Sequence, residues 1–178
     1  MRISFLFICV VLCAAVGKSQ SIYSYKLYEL NGVDSIDFQQ FTGKRILLVN
    51  IATQHPKVGQ IKSLDSLQNR YRDSGLVVIG IPSNSFGNEP GTNEEIDLLL
   101  RNRYAPNFLI SQKLAVSYPG AELVYDWFSD KNKNELLNGR VKTDFYKILI
   151  NGQGKIVGLF SDQVDPLDSI LIQAIQKN

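Results

Sequence analysis

Beyond the N-terminal segment, two stretches of the chain stand out as continuously apolar. Ile46-Leu47-Leu48-Val49 and Leu76-Val77-Val78-Ile79-Gly80-Ile81 show no alternation with polar residues, which is the pattern of strands buried on both faces. Between them, Pro56 opens a segment whose apolar positions Ile61, Leu64, Leu67 and Tyr71 recur at three- and four-residue steps, and Gly75 closes it. That spacing predicts an amphipathic helix, and strand, helix and strand in so short a stretch predict a parallel crossover unit. Upstream, residues 24–30 read as a strand ending at Asn31-Gly32, and residues 35–38 as the second arm of an N-terminal β-hairpin. Downstream, Thr92-Asn93-Glu94-Glu95 is a helix start with acidic residues in its first turn, leading to Ile96, Leu99, Leu100 and Tyr104. Residues 121–128 predict a short helix and residues 166–175 a terminal one. Strands at 145–150 and 155–160, joined by Asn151-Gly152-Gln153-Gly154, close the pattern as a hairpin. Parallel strands first and antiparallel strands last predict an α/β domain with a central mixed β-sheet flanked by helices.

Trp127, Phe38, Phe86, Phe108, Phe145 and Phe160 fall on apolar faces of these elements and are expected in the core. Residues 131–135, Lys-Asn-Lys-Asn-Glu, read as a polar loop.

The N-terminus departs from this pattern. Arg2 precedes an apolar run from Ile3 to Val16, too short to span a bilayer as a helix, and the small and polar residues Gly17-Lys18-Ser19-Gln20 follow. Residues 1–19 are therefore expected to be a signal peptide cut after Ser19, with a cut after Gly17 as the nearest competitor. Residues 20–178 are expected to form one domain. Leu12 stands before Cys13 where a lipoprotein signal needs a small residue, which argues against lipid anchoring. The expected destination is export, periplasmic or secreted, without stable membrane insertion of the mature chain.

Export changes the chemistry available. Cys9 and Cys13 are the only cysteines, and both lie in the expected leader. The mature chain then has no disulfide, no thiolate nucleophile and no cysteine metal ligand. The precursor carries 19 basic and 17 acidic residues, and losing Arg2 and Lys18 balances the two signs. That removes the electrostatic case for nucleic acid. His55 is the one histidine, so no metal site and no cofactor are expected.

Specific motifs go further. Gly43-Lys44-Arg45-Ile46-Leu47-Leu48-Val49-Asn50-Ile51-Ala52-Thr53 resembles the strand and loop leading into the active site of glutathione peroxidases. Residues 76–96, which contain Pro82-Ser83-Asn84-Ser85-Phe86-Gly87-Asn88-Glu89-Pro90-Gly91, resemble that family's signature with one residue missing after Gly87. Residues 108–116 with Lys113, then Tyr125-Asp126-Trp127, then Phe145-Tyr146-Lys147-Ile148-Leu149-Ile150 follow in the family's order. The resemblance covers nearly the whole mature chain and implies a thioredoxin-like fold of the glutathione peroxidase type. Function has to be argued at the site.

The same resemblance locates that site. In the family, a cysteine or selenocysteine follows the asparagine-hydrophobic-alanine motif at a helix start, where the helix terminus favours the thiolate. It attacks the O–O bond, becomes a sulfenic acid and is resolved by another thiol. Counting from Asn50, the nucleophile's position is His55, followed by Pro56 where the family has glycine. The family's glutamine is Ser85, its tryptophan-asparagine pair is Thr143-Asp144, and the resolving-cysteine position of the thioredoxin-dependent branch is Leu100. Imidazole forms no sulfenic intermediate. The resemblance therefore implies a dismantled peroxide centre and a non-catalytic binding or structural module, whose protein or small-molecule partner the sequence does not name. The competing expectation is a family enzyme with different chemistry, or a peroxidase served by an external thiol, metal or haem partner. His55, Ser85 and Asp144 also supply the residue types of a hydrolase triad, but no nucleophile elbow surrounds Ser85. The plain expectation for His55 is a solvent-facing loop residue contributing one hydrogen bond.

Overall fold

The structure is a computed structural model that describes residues 20–178, so the expected signal peptide lies outside the described residues. The chain opens with a 3-10 turn, Ile22–Ser24, then β1 (Lys26–Tyr28) and β2 (Ser35–Asp37), an antiparallel hairpin. The first strand is shorter than the sequence predicts. Ser21 accepts the Tyr23 N–H and starts a turn that carries Ile22 into the core instead of along a sheet.

Five strands then build the main sheet: β3 (Arg45–Ile51), β4 (Leu76–Pro82), β5 (Leu109–Ile110), β6 (Lys147–Ile150) and β7 (Ile156–Phe160), in spatial order β5-β4-β3-β6-β7. β3 pairs with β4 in parallel from Arg45↔Leu76 to Ile51↔Pro82, and with β6 antiparallel from Ile46↔Ile150 to Val49↔Lys147. Its central place explains the unbroken apolar run. Ile46 and Leu48 enter one core and Leu47, Val49 and Ile51 the other, because successive side chains point to opposite faces.

On one face, α1 (Gln60–Tyr71) contributes Ile61, Leu64 and Leu67, α2 (Asn93–Arg103) contributes Ile96 and Leu100, and α5 (Ser169–Lys177) contributes Leu171 and Ile175. On the other face the β1–β2 hairpin, the 3-10 turn after it (Phe38–Phe41) and α3 (Val124–Ser129) bring Leu27, Ile36, Phe38, Tyr125, Trp127 and Phe128 against the sheet. The start of α2 is the reciprocal cap expected of its sequence. Thr92 donates its N–H to Glu95 Oε2 at 2.8 Å and its hydroxyl accepts from Glu95 N. The mixed sheet, the flanking helices and the N-terminal hairpin are the thioredoxin-like arrangement that the sequence implies.

Some expectations need correction. α1 begins at Gln60, not at Pro56, because residues 55–59 form tight turns in which Val58 N–H bonds His55 O at 3.0 Å and Ile61 N–H bonds Val58 O at 3.0 Å. Residues 131–135 are no simple loop. Lys131–Asn134 form a one-turn helix, α4, and Asn134 is buried. Its amide donates to the carbonyls of Trp127, Phe128 and Leu137 and accepts from the N–H groups of Leu136 and Leu137. The predicted aromatic core forms, except that Phe86 is only half-buried against it.

Candidate functional site

β3 and β4 are parallel and end together, at Ile51 and Pro82, while antiparallel β6 begins there. Three loops therefore meet at one end of the sheet: residues 52–59, 83–92 and 143–146. Carboxyl ends of parallel strands are where α/β sheets place their sites, because the loops there diverge to opposite faces.

Asn50 and Lys147 shape the third loop from behind. The buried Asn50 side chain donates to Thr143 O at 3.0 Å and accepts from Tyr146 N at 3.1 Å, and its carbonyl accepts from Phe145 N at 2.7 Å. Lys147, without exposed surface, donates its ammonium to Phe145 O at 2.8 Å and Ser161 O at 3.3 Å. Burial pushes the Lys147 amine down to about 8, against the pull of Asp165 and Asp162. Phe145 is held between these grips in a left-handed backbone conformation, φ 56°.

His55 rests on that residue. Its ring lies 5.6 Å from the Phe145 ring, tilted by 42°, and its Nδ1 accepts the Lys57 N–H at 3.1 Å. The side chain is half-buried rather than solvent-facing, although the single hydrogen bond is as expected. With Nδ1 an acceptor, the neutral ring carries its proton on Nε2.

Asp144 is completely buried. Oδ2 accepts from Asn88 Nδ2 at 2.7 Å, and Oδ1 has no partner. Burial holds the carboxyl above the usual range, opposed by the Asn88 bond and by the nearby His55. Thr143, half-buried in the same loop, is tied to β3 by its carbonyl, which accepts from the Asn50 amide. Ser85 has a different occupation: its hydroxyl accepts from Ser83 Oγ at 3.1 Å and from Val116 N at 3.0 Å. No hydrogen bond joins Ser85 to His55 or His55 to Asp144, so a relay of the hydrolase kind is not assembled. Leu100 lies apart as a core residue of α2, lining a cleft with Glu29, Arg101 and Phe108.

Sequence reasoning missed Glu89. This carboxylate is 1% exposed and takes both donors of Thr53, the backbone N–H at 2.6 Å and Oγ1 at 2.7 Å, while its own N–H donates to Asn84 Oδ1 at 3.0 Å. Burial raises its pKa, against the Thr53 bonds and the charge of Lys113 and with a smaller push from Asp144. The available signal was its place beside the missing residue after Gly87, since a buried acid leaves no trace in apolar periodicity. Thr53 and Glu89 border a cavity of about 360 Å³ whose other walls include Gln54, Glu95 and Leu99.

The chemistry here is protic. The site offers one imidazole, two buried carboxyl groups whose pKa values burial raises and a threonine hydroxyl. Among the described residues there is no cysteine, and no group of three or more His, Cys, Asp or Glu side chains is placed to hold a metal ion.

Fold and loop arrangement together define a thioredoxin-like protein, and known proteins narrow this. The glutathione peroxidase family model matches residues 22–129. Glutathione peroxidase-like peroxiredoxin 2 of Saccharomyces cerevisiae is 34% identical over 157 residues, covering 88% of this chain and 95% of its own. The apo crystal structure of Trgpx superposes with a TM-score of 0.64 at 27% identity, over 89% of this chain and 97% of that one. A thioredoxin-family thiol:disulfide interchange protein from Chlorobium tepidum TLS shares the fold at 14% identity, with a TM-score of 0.61 over 89% of this chain and 97% of that one. The chain belongs to the glutathione peroxidase family.

Proposed function

We propose that this chain is an exported member of the family that does not reduce peroxide by the family's route and acts as a non-catalytic binding or structural module. One observation carries the reading: both cysteines precede residue 20, and the position that the family resemblance gives to the nucleophile is occupied by His55. Reduction of an O–O bond by this route needs an atom that gives up an electron pair, holds the oxygen and is then restored by a thiol. An imidazole has no such return step. Three further facts support the reading. Ser85 serves the Val116 backbone, Leu100 is packed in the core, and the Nδ1 lone pair of His55 is taken by Lys57 N–H. The remaining half of the proposal is that the loops around Thr53, His55 and Ser85 are a binding surface.

The test uses protein recovered after export. With hydrogen peroxide and either glutathione or thioredoxin, consumption should not exceed the buffer blank. Turnover that disappears in His55→Ala would overturn the proposal. Capture of partners by the wild type, lost in a Thr53/His55/Ser85 triple alanine variant, would place binding at this surface.

A further inference from the structure

We propose that the mature chain begins at Gln20 in cyclised form, as a pyroglutamyl residue. This rests on the export reading above, which makes Gln20 the first residue once the leader is cut after Ser19. The reaction needs no partner chemistry. The freed α-amine attacks its own side-chain carbonyl carbon, and the new N–Cδ bond closes a five-membered lactam. The Cδ–Nε2 bond breaks, the amine's proton goes to the departing nitrogen, and ammonia leaves. Nothing is oxidised or reduced.

Two features of the structure favour this. Gln20 is exposed, lies outside any helix or strand and makes no hydrogen bond to the described residues, so its side chain is free to fold back on the amine. Immediately after it, the chain is fixed. Ser21 O accepts from Ser24 N at 3.0 Å, Ser21 Oγ accepts from Tyr23 N at 3.3 Å, Ile22 has no exposed surface, and the Tyr23 hydroxyl donates to Gly152 O at 2.8 Å. The new terminus is thereby held at one place on the surface instead of trailing from a frayed end.

That place has a character of its own. Gln20 borders a cavity of about 230 Å³ together with Trp127, Asn134, Lys133 and Lys155. Lys133 is paired with Asp126 and Lys155 with Glu135, so the rim already carries two ammonium groups with their counter-charges. An uncyclised terminus would add a third cation there. The lactam is neutral and offers a carbonyl acceptor to a rim rich in donors. Trp127 adds an indole N–H that is buried without a partner.

The full-length chain, expressed with its own leader and recovered from the exported fraction, provides the test. Mass spectrometry of its N-terminal peptide should show a start at residue 20 and a mass lower by one ammonia. Aminopeptidase should fail to trim it until a pyroglutamate-specific peptidase has acted, and Gln20→Ala should be exported with a free amine that is trimmed directly. A free amine on Gln20, or a start at Lys18, overturns cyclisation and leaves export standing. Recovery of a chain that still begins at Met1 overturns both.

Discussion

Glu89 binds Thr53 through both carboxylate oxygens, at 2.6 Å to the backbone N–H and 2.7 Å to Oγ1, and so ties the loop after β4 to the loop after β3. A buried carboxylate tolerates its environment through such bonds, because donors replace the water it has lost. Thr53→Val keeps the shape and removes one of the two. We expect a loss of about 1–3 kcal/mol in unfolding free energy, measured by urea denaturation. A variant as stable as the wild type would mean that Glu89 sits there as the neutral acid and does not depend on the hydroxyl.

Asp144→Asn tests the second buried acid, and the sign follows from linkage. The Asp144 pKa is raised by burial, so its contribution to stability is fully present below the unfolded-state value, near pH 4, and is lost as pH rises through the folded value. An asparagine here can still accept the Asn88 amide while carrying no charge. The stability difference should move in the variant's favour as pH rises from about 4 to neutral, because the buried wild-type carboxyl then ionises and the amide does not. Asp37 and Glu94, lowered by their hydrogen bonds, are common to both proteins and cancel in the difference, whereas Glu89, raised in the same direction and pushed further by Asp144, is partly relieved in the variant, which acts with the same sign. A difference independent of pH would contradict this account.

Asn134→Ala should be the most damaging of the three substitutions. It strands the carbonyls and N–H groups that the amide serves between Trp127 and Leu137, at a cost of about 3 kcal/mol. Trp127 is the only tryptophan and its carbonyl is one of the partners, so its emission reports the change locally. Unaltered emission and stability would show that α4 folds without this side chain.

Legibility in the sequence tracked apolar burial. β3, β4 and the inward face of α1 were readable because Ile46–Val49, Leu76–Ile81 and the Ile61, Leu64, Leu67 series are repeated signals, each residue agreeing with the next. β5 escaped because two residues carry no period, and α4 because its one buried side chain is an asparagine among lysines. The short helix α3 starts at Val124, later than the sequence suggests, after Leu123 takes a positive φ of 48° that no pattern announces. At the site, the resemblance located His55, Thr143 and Asp144 on neighbouring loops, but their surroundings were not readable. Which group accepts the Lys57 N–H, or that Glu89 turns inward toward Thr53, depends on three loops distant in sequence meeting at one end of the sheet.

Asn50 and Lys147 secure the 143–146 loop, which carries Asp144, from within the sheet, while His55 packs on that loop from its outer side. Scaffolding and reactive groups are thus assigned to different positions in the chain. A lineage can exchange what stands at the opening without rebuilding what supports it, so two descendants can superpose closely and still share no reaction.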